Sequence, residues 1–349
     1  MEIRGMRESD LKQIIRIWNE SVDAGEVLYR KMDERLWSAK FGALFQSCPD
    51  LFRVAETGGK VTGFAFGSLK TRFLPGETAE NTPGFLTCIF VDRAFRRQGT
   101  GRALLADLED AFANRGHHLI TCSSNNPVNL DWTIPDTPGH DHNNAPGVDE
   151  ACAGFPFLLA SGYQHTISEV AMYLDLKAYR PWDGYEETKA RLEREGVTFG
   201  PYDARLGYDY DGMCDRVGSE YWREVLRSEI ACHLENRPNT DIRFLPNGRV
   251  PKGPRPILAA TCDRRIVAQV GPVEVQESGR GFFTGICTDP LYERRGIASV
   301  LFNVLMQEFI AQGAAFSSIF TGDGNHARRI YERAGFRVVR RWALMKKNL

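Results

Sequence analysis

Hydrophobic positions along this chain follow two periods, and the periods succeed one another in the same order twice. In the first half, apolar runs of strand length occupy residues 2–4, 52–56, 61–69, 85–91 and 118–122. Residues 9–19 and 34–45 carry apolar side chains at helical spacing instead, as does the stretch holding Leu104, Leu105, Leu108, Ala111 and Phe112. Short runs fit strands, and recurrence every three to four residues fits an amphipathic helix. Gly116 stands just past the third helix, where a C-terminal cap is expected.

The second half repeats this order. It predicts helices at 209–216 and 221–233, strands at 257–262 and 266–275, and an apolar run ending near Thr288. A helix marked by Leu301, Phe302, Leu305 and Phe309 follows, then Gly313 and a strand at 316–320. Residues 85–112 overlay residues 282–309 without a gap and share nine identities, among them Asp92/Asp289, Arg97/Arg294, Gly99/Gly296 and Phe112/Phe309. Chance supplies about one or two over such a window. The copies are long and far apart, so they read as a duplicated domain and not a solenoid. The expected division is a first domain at 1–178, a charged connecting helix at 179–196 and a second domain at 197–349.

Composition narrows the function classes. The 349 residues are 42% hydrophobic and 26% charged, with a formal net charge of −1. No general affinity for nucleic acid or an anionic membrane follows from that balance, so any anion recognition is local. No run approaches the roughly 18 apolar residues of a membrane span. The charged start MEIRGMRESD lacks a signal-peptide core, which predicts a cytoplasmic protein. The eight cysteines are scattered, none as C-x-x-C, and read as reduced structural thiols. No metal is expected.

Each copy places a glycine loop between a strand and a helix: RRQGTG at 96–101 and ERRGIA at 293–298. Such a junction offers unpaired helix amides and the positive end of the helix dipole to an anion. The loop is no Walker A, and Leu104 occupies the third glycine position of a dinucleotide fingerprint. Strand, V-D-x-x-x-R-x-x-G-x-G and amphipathic helix resemble the acyl-CoA-binding motif of the GNAT acetyltransferase superfamily, Gln/Arg-x-x-Gly-x-Gly/Ala. Arg96, Gly99 and Gly101 match its three defined positions. Gly296 and Ala298 match in the second copy, where Glu293 replaces the usual Gln or Arg. Asn325 to Phe336 is similar to the same family's Asn-x-x-Ala-x-x-x-Tyr-Glu-x-x-Gly-Phe segment.

The resemblance implies an α/β fold: two GNAT-like domains in tandem, each a central mixed β-sheet flanked by helices. It implies acetyl-CoA as co-substrate, held by Arg96, Arg97, Gln98, Gly99, Thr100, Gly101 and Arg102 in one copy. In the other it implies Arg294, Arg295, Gly296, Ile297, Ala298 and Ser299, with Asn325 on the CoA arm. Thioester contacts come from the strand before each loop: Ile89, Phe90 and Val91, and Ile286, Cys287 and Thr288. Tyr331 is implied as the general acid beside the sulfur. The first half has Gly162-Tyr163 for Gly335-Phe336, and Leu158 stands where Tyr331 does. The better loop therefore lacks the tyrosine and the weaker loop has it.

Residues 123–150 form an insertion that the second half lacks, rich in Pro, Gly, Asn and Asp. It reads as an ordered loop, with His140 and His142 as candidate substrate contacts. Two imidazoles without a third ligand make a poor metal site. The reading is direct acetyl transfer to a small-molecule amine or an amino terminus by a monomer or homodimer, with the C-terminal half favoured for catalysis. The alternatives are catalysis in the N-terminal half beside the histidine loop, and a non-catalytic acyl-CoA sensor.

Overall fold

A computed structural model describes residues 1–73, 76–245, 250–325 and 327–349. The chain forms two compact units, one of Met1–Ala171 with Val339–Leu349, the other of Met172–Val338. The sequence pattern assigned 339–349 to the second domain. The structure returns this stretch to the first unit.

The N-terminal unit runs β1 (Glu2–Gly5), α1 (Leu11–Asp23), α2 (Glu34–Trp37), α3 (Ala43–Ser47), β2 (Phe52–Thr57), β3 (Lys60–Ser68), β4 (Gly84–Val91), α4 (Thr100–Asn114) and β5 (Leu119–Cys122). The insertion follows as β6 (Trp132–Thr133), β7 (Asp141–His142) and β8 (Val148–Asp149), then α5 (Gly154–Ala160). Strand β9 (Gln164–Asp175) leads into the C-terminal unit. That unit contains α6 (Tyr185–Arg194), β10 (Thr198–Pro201), α7 (Asp211–Val217), α8 (Glu220–Leu234), β11 (Leu258–Cys262), β12 (Arg265–Val270), β13 (Val273–Val275), β14 (Arg280–Phe283), β15 (Ile286–Thr288), α9 (Ile297–Ala311), β16 (Phe316–Gly322) and α10 (Arg328–Arg333). The last strand, β17 (Arg337–Asn348), carries the chain back to the first unit.

In the N-terminal unit the strand order is β1-β2-β3-β4-β5-β17. β1 to β4 are antiparallel neighbours, β4 and β5 are parallel, and β17 is antiparallel to β5 through Met345↔Cys122 to Asn348↔Leu119. In β3 every residue after Lys60 is buried, because helices pack on the sheet and neither face meets water. The sheet is mixed. In the C-terminal unit β10-β11-β12-β15 make an antiparallel sheet of their own, while β14 pairs antiparallel with β13 and parallel with β16.

One contact shows that the repeat is structural. A Cβ on Gly84 would stand 2.6 Å from the Phe112 ring, and a Cβ on Gly281 would stand 2.6 Å from Phe309. Each glycine lets the helix after its loop press directly on the strand before it. Only a residue without a side chain fits under the phenylalanine.

Candidate active site

β4 and β5 pair only through Gly84↔Ile120 and Phe85↔Thr121. Beyond Phe85 the two parallel strands part, so the β4 backbone has β3 on one edge and no strand on the other. The Asp92 amide donates to Thr62 on the β3 side. Strand alternation therefore turns the Ile89 and Val91 amides to the open edge and the Phe90 amide toward β3. A Phe66↔Cys88, Gly67↔Leu86 register shift leaves Thr87 as the extra residue where the strands separate. In the C-terminal unit β14 and β16 likewise pair through two residues, Arg280↔Phe316 and Gly281↔Ser317.

The loop after β4 has a fixed shape. The Asp92 carboxylate accepts from the Ala94 amide at 3.1 Å and pairs with Arg16 at 2.9 Å. In the second copy Asp289 accepts from Leu291 at 3.0 Å and pairs with Arg216. Arg97 and Arg294 both take left-handed backbone, φ 61° and 59°, and so do Gly99 and Gly296, φ 88° and 93°. Two left-handed residues around one other make a concave turn of the kind that gathers amide groups for an anion. The glycine caps a 15-residue helix in each case, α4 or α9. Thr100, the first residue of α4, anchors it through its hydroxyl to the Phe95 carbonyl. Gly101 has room for a methyl group, with Phe157 at 3.5 Å, which is why Ala298 serves in the copy.

The two loops differ in what covers them. A Cβ on Gly99 would meet nothing within 4 Å, whereas one on Gly296 would stand 2.9 Å from the Thr188 methyl of α6. α6 also sends Arg191 to the Arg295 carbonyl at 2.6 Å, and Glu195 just past it pairs with the Arg295 guanidinium. The charged connector therefore lies on the second loop. A Cβ on Gly285 would stand 2.7 Å from the Trp222 ring of α8. An indole thus packs at the break between β14 and β15, opposite in the repeat to Cys88.

In the N-terminal unit the corresponding space is a cavity of about 580 Å³, within the range of small-molecule sites. One wall is β4 from Leu86 to Val91, and one end is the loop with Arg96, Arg97, Gly99, Gly101 and Arg102. The other walls come from Glu26 to Tyr29 after α1, from Cys122 at the end of β5 with Ser123 and Asn126 beyond it, from Gly147 to Asp149, from Cys152 to Gly154, and from Trp342 of β17. Arg97 and Arg102 are exposed at the loop.

The Arg96 side chain is engaged within the wall itself. Its Nε donates to the Val91 carbonyl at 2.8 Å, and its other nitrogens grip both oxygens of Glu26 at 2.9 and 2.6 Å. Hydrogen bonds from Arg96 and then Arg93 hold the Glu26 carboxyl down to about 2. Arg96 braces the loop against the segment after α1. Asp149, 7% exposed, accepts from the Ala151 amide at 2.9 Å and from Arg340 at 3.1 Å. Both carboxylates in the wall are thus committed to arginines. Asn126 accepts from Ser68 at 2.9 Å and donates to Thr87 at 3.2 Å, a polar knot at the point where β4 and β5 part.

The remaining sequence candidates fall elsewhere. Tyr331 is a core side chain, 7% exposed, its ring 5.1 Å from Phe302 and 6.2 Å from Phe336, and burial raises its hydroxyl. Asn325 turns its side-chain oxygen onto the Ala327 amide at 3.0 Å. His326 of the same segment lies outside the described residues. Cys287 is buried and its thiol is pushed up to about 12. His142 is 2% exposed and stacks on Trp132 at 5.6 Å. His140 ties the insertion through its backbone to Ile134 and Thr137. The ends of the insertion line the cavity and its histidines do not. Among the described residues no group of three His, Cys, Asp or Glu is placed to hold a metal ion, and no helix is long and apolar enough to cross a membrane. Sequence reasoning missed Glu26, Tyr29, Asn126, Asp149 and Trp342, which no motif connects. Cys152 carries a signal, since it precedes Gly162 by the interval that separates Asn325 from Gly335.

Similar proteins fit this architecture. A glucosamine N-acetyltransferase region in a fungal multi-domain GH3 β-N-acetylglucosaminidase superposes with a TM-score of 0.58 at 15% identity, over 99% of this chain and 38% of that one. This chain thus spans little more than a third of that protein. A GCN5-related N-acetyltransferase from Sphaerobacter thermophilus gives 0.55 at 14% identity, over 99% and 95%. A tandem GNAT protein from the clavulanic acid biosynthesis pathway gives 0.53 at 14%, over 99% and 98%. At these identities the likeness is one of fold. Among curated proteins, none matches the chain. The profile of the acetyltransferase (GNAT) family matches residues 14–131 and again residues 222–336, about two thirds of the chain. With the duplicated glycine loop and the parted strands in each unit, the chain belongs to the GNAT acetyltransferase family, as a tandem of two such domains.

Proposed function

We propose that this chain transfers an acetyl group from acetyl-CoA directly to a primary amine, a small molecule or an amino terminus, and that its acyl-CoA site is in the N-terminal unit. The observation that carries the proposal is the 580 Å³ cavity bounded by the open Gly99 loop and the unpaired edge of β4. The loop amides and the positive end of α4 suit a pyrophosphate, with Arg97 and Arg102 beside it. The open Ile89 and Val91 amides suit the thioester carbonyl and the oxyanion that forms from it. The buried thiols of the wall stay protonated, Cys122 being pushed up to about 12, which favours direct transfer over an acyl-cysteine intermediate. An incoming amine has an ordinary pKa near ~10.4 and must lose a proton. With Glu26 and Asp149 held by arginines, that proton leaves through water.

This reading moves catalysis away from Tyr331, whose ring belongs to the core of the other unit. The covered Gly296 loop and the Trp222 indole support a structural role for the second copy.

Calorimetry with acetyl-CoA tests the assignment. One site per chain is expected. Gly99→Glu places a side chain and a charge in the open loop and should weaken binding by at least about 30-fold, roughly 2 kcal/mol. Arg294→Glu, exposed on the second loop, should leave binding within about twofold. Two equivalent sites, or a loss on Arg294→Glu, would sink the assignment. An amine panel read by free CoA release separates the enzyme from a sensor: binding without release favours the sensor.

A further inference from the structure

Three free thiols, those of Cys88, Cys122 and Cys152, line the same cavity. They are not equivalent. Cys88 and Cys122 are buried in strands and burial keeps them protonated. Cys152 is half-buried, and burial raises its thiol, opposed by the backbone at Gly154 and Phe155. Its place in the repeat is informative. Asn325 accepts the amide two residues on, that of Ala327, and the Cys152 sulfur lies against the residue two on, a Cβ on Gly154 standing 3.2 Å from it. The position whose amide in the second half is implied to contact the CoA arm thus carries a thiol in the first half. That thiol borders the cavity.

We propose that Cys152 forms a mixed disulfide with CoA seated in this cavity, so that oxidation closes the acyl-CoA site covalently. The proposal rests on reading the cavity as the acyl-CoA site. Its co-reactant is CoA disulfide. The Cys152 thiolate attacks one sulfur, the S–S bond of the reagent breaks, and a new S–S bond joins Cys152 Sγ to that CoA. The second CoA departs as a thiolate and takes up a proton; Cys152 is oxidised and the reagent is the oxidant. A raised thiol has a small thiolate fraction and reacts slowly in free encounter. Holding the CoA arm along β4 converts the encounter into a local reaction, and effective concentration offsets the small fraction.

Cys48 is the internal control, because it is also half-buried and lies outside the cavity. The full chain is incubated with CoA disulfide near neutral pH, quenched in acid, and its peptides are mapped by mass spectrometry. The expected result is one CoA adduct per chain on Cys152, formed at least about tenfold faster than on Cys48. Excess acetyl-CoA should suppress it, dithiothreitol should reverse it, and Cys152→Ser should lack it. Equal labelling of Cys48 and Cys152, or labelling that acetyl-CoA does not suppress, overturns the proposal. So does an unlabelled Cys152 in a chain that binds acetyl-CoA by calorimetry, and the site reading then survives. If acetyl-CoA neither binds nor protects, both fall.

Discussion

Arg96 and Glu26 show how one motif residue changes meaning once its neighbours are known. The motif reserves Arg96 for the cofactor loop, yet its guanidinium is spent on Glu26 and the Val91 carbonyl. It ties the loop to the end of β4 and to the segment after α1. The Glu26 carboxyl sits at about 2 in the folded chain against an ordinary 4.5. A depressed carboxyl stabilises the fold fully above its unfolded value and loses that contribution as pH falls through the folded one. Glu26→Gln should therefore cost about 1–2 kcal/mol at pH 7. Its gap from the parent in thermal or denaturant unfolding should close as pH falls from 4.5 toward 2. A gap that persists at pH 2 would contradict the pairing. Tyr331 makes the opposite case: the motif marks it as chemical, and its buried ring packs on Phe302 and Phe336. Tyr331→Phe keeps the ring between Phe302 and Phe336 and should leave turnover within about twofold, whereas Tyr331→Ala should cost ~3–5 kcal/mol of stability. A large loss of turnover in the phenylalanine variant would restore it as a catalytic residue.

Helix, loop and strand act as one part in each unit, and the glycines at their contact test that. Gly84→Ala and Gly281→Ala each drive a methyl group into a phenylalanine ring, and each should destabilise its unit by ~1–3 kcal/mol through overpacking. Equilibrium denaturation reads this directly; a neutral Gly281→Ala would mean that the copies pack differently. Much at this scale was legible in the sequence. The repeat and the strand–loop–helix order follow from spacing, because those features are local. What covers each loop was not legible. Thr188 and Arg191 lie more than a hundred residues before Gly296 in a helix whose charge pattern reads as solvated, and Trp222 looks like any apolar position of α8. The cavity wall is similar: Glu26, Asn126, Asp149 and Trp342 come from four distant segments, and no local period records that they meet.

At the scale of the whole molecule, the final strand is the feature that the apolar pattern could not assign. A strand's period says which face is buried and nothing about which sheet it joins. β17 follows the C-terminal unit in sequence, yet its residues from Trp342 onward complete the N-terminal sheet, pairing with β8 and β5. It brings Trp342, Ala343 and Met345, all 1% exposed or less, into that unit's interior, and Trp342 into the cavity wall. Ending the chain at Val338 therefore removes a core strand from the first unit without touching its contiguous sequence. Loss of one buried Trp or Met side chain alone costs about 2–5 kcal/mol, and typical domains have only ~5–15 kcal/mol to lose. The bare edge of β5 would also invite pairing with other chains. The truncated chain should lose acetyl-CoA binding by calorimetry and show its N-terminal amides exchanging as in an unfolded segment. A synthetic peptide of residues 339–349, added in excess, should restore protection of β5. A truncated chain that binds acetyl-CoA as tightly as the full one would show that the N-terminal unit closes its sheet without β17, and that Trp342 adds nothing to the site.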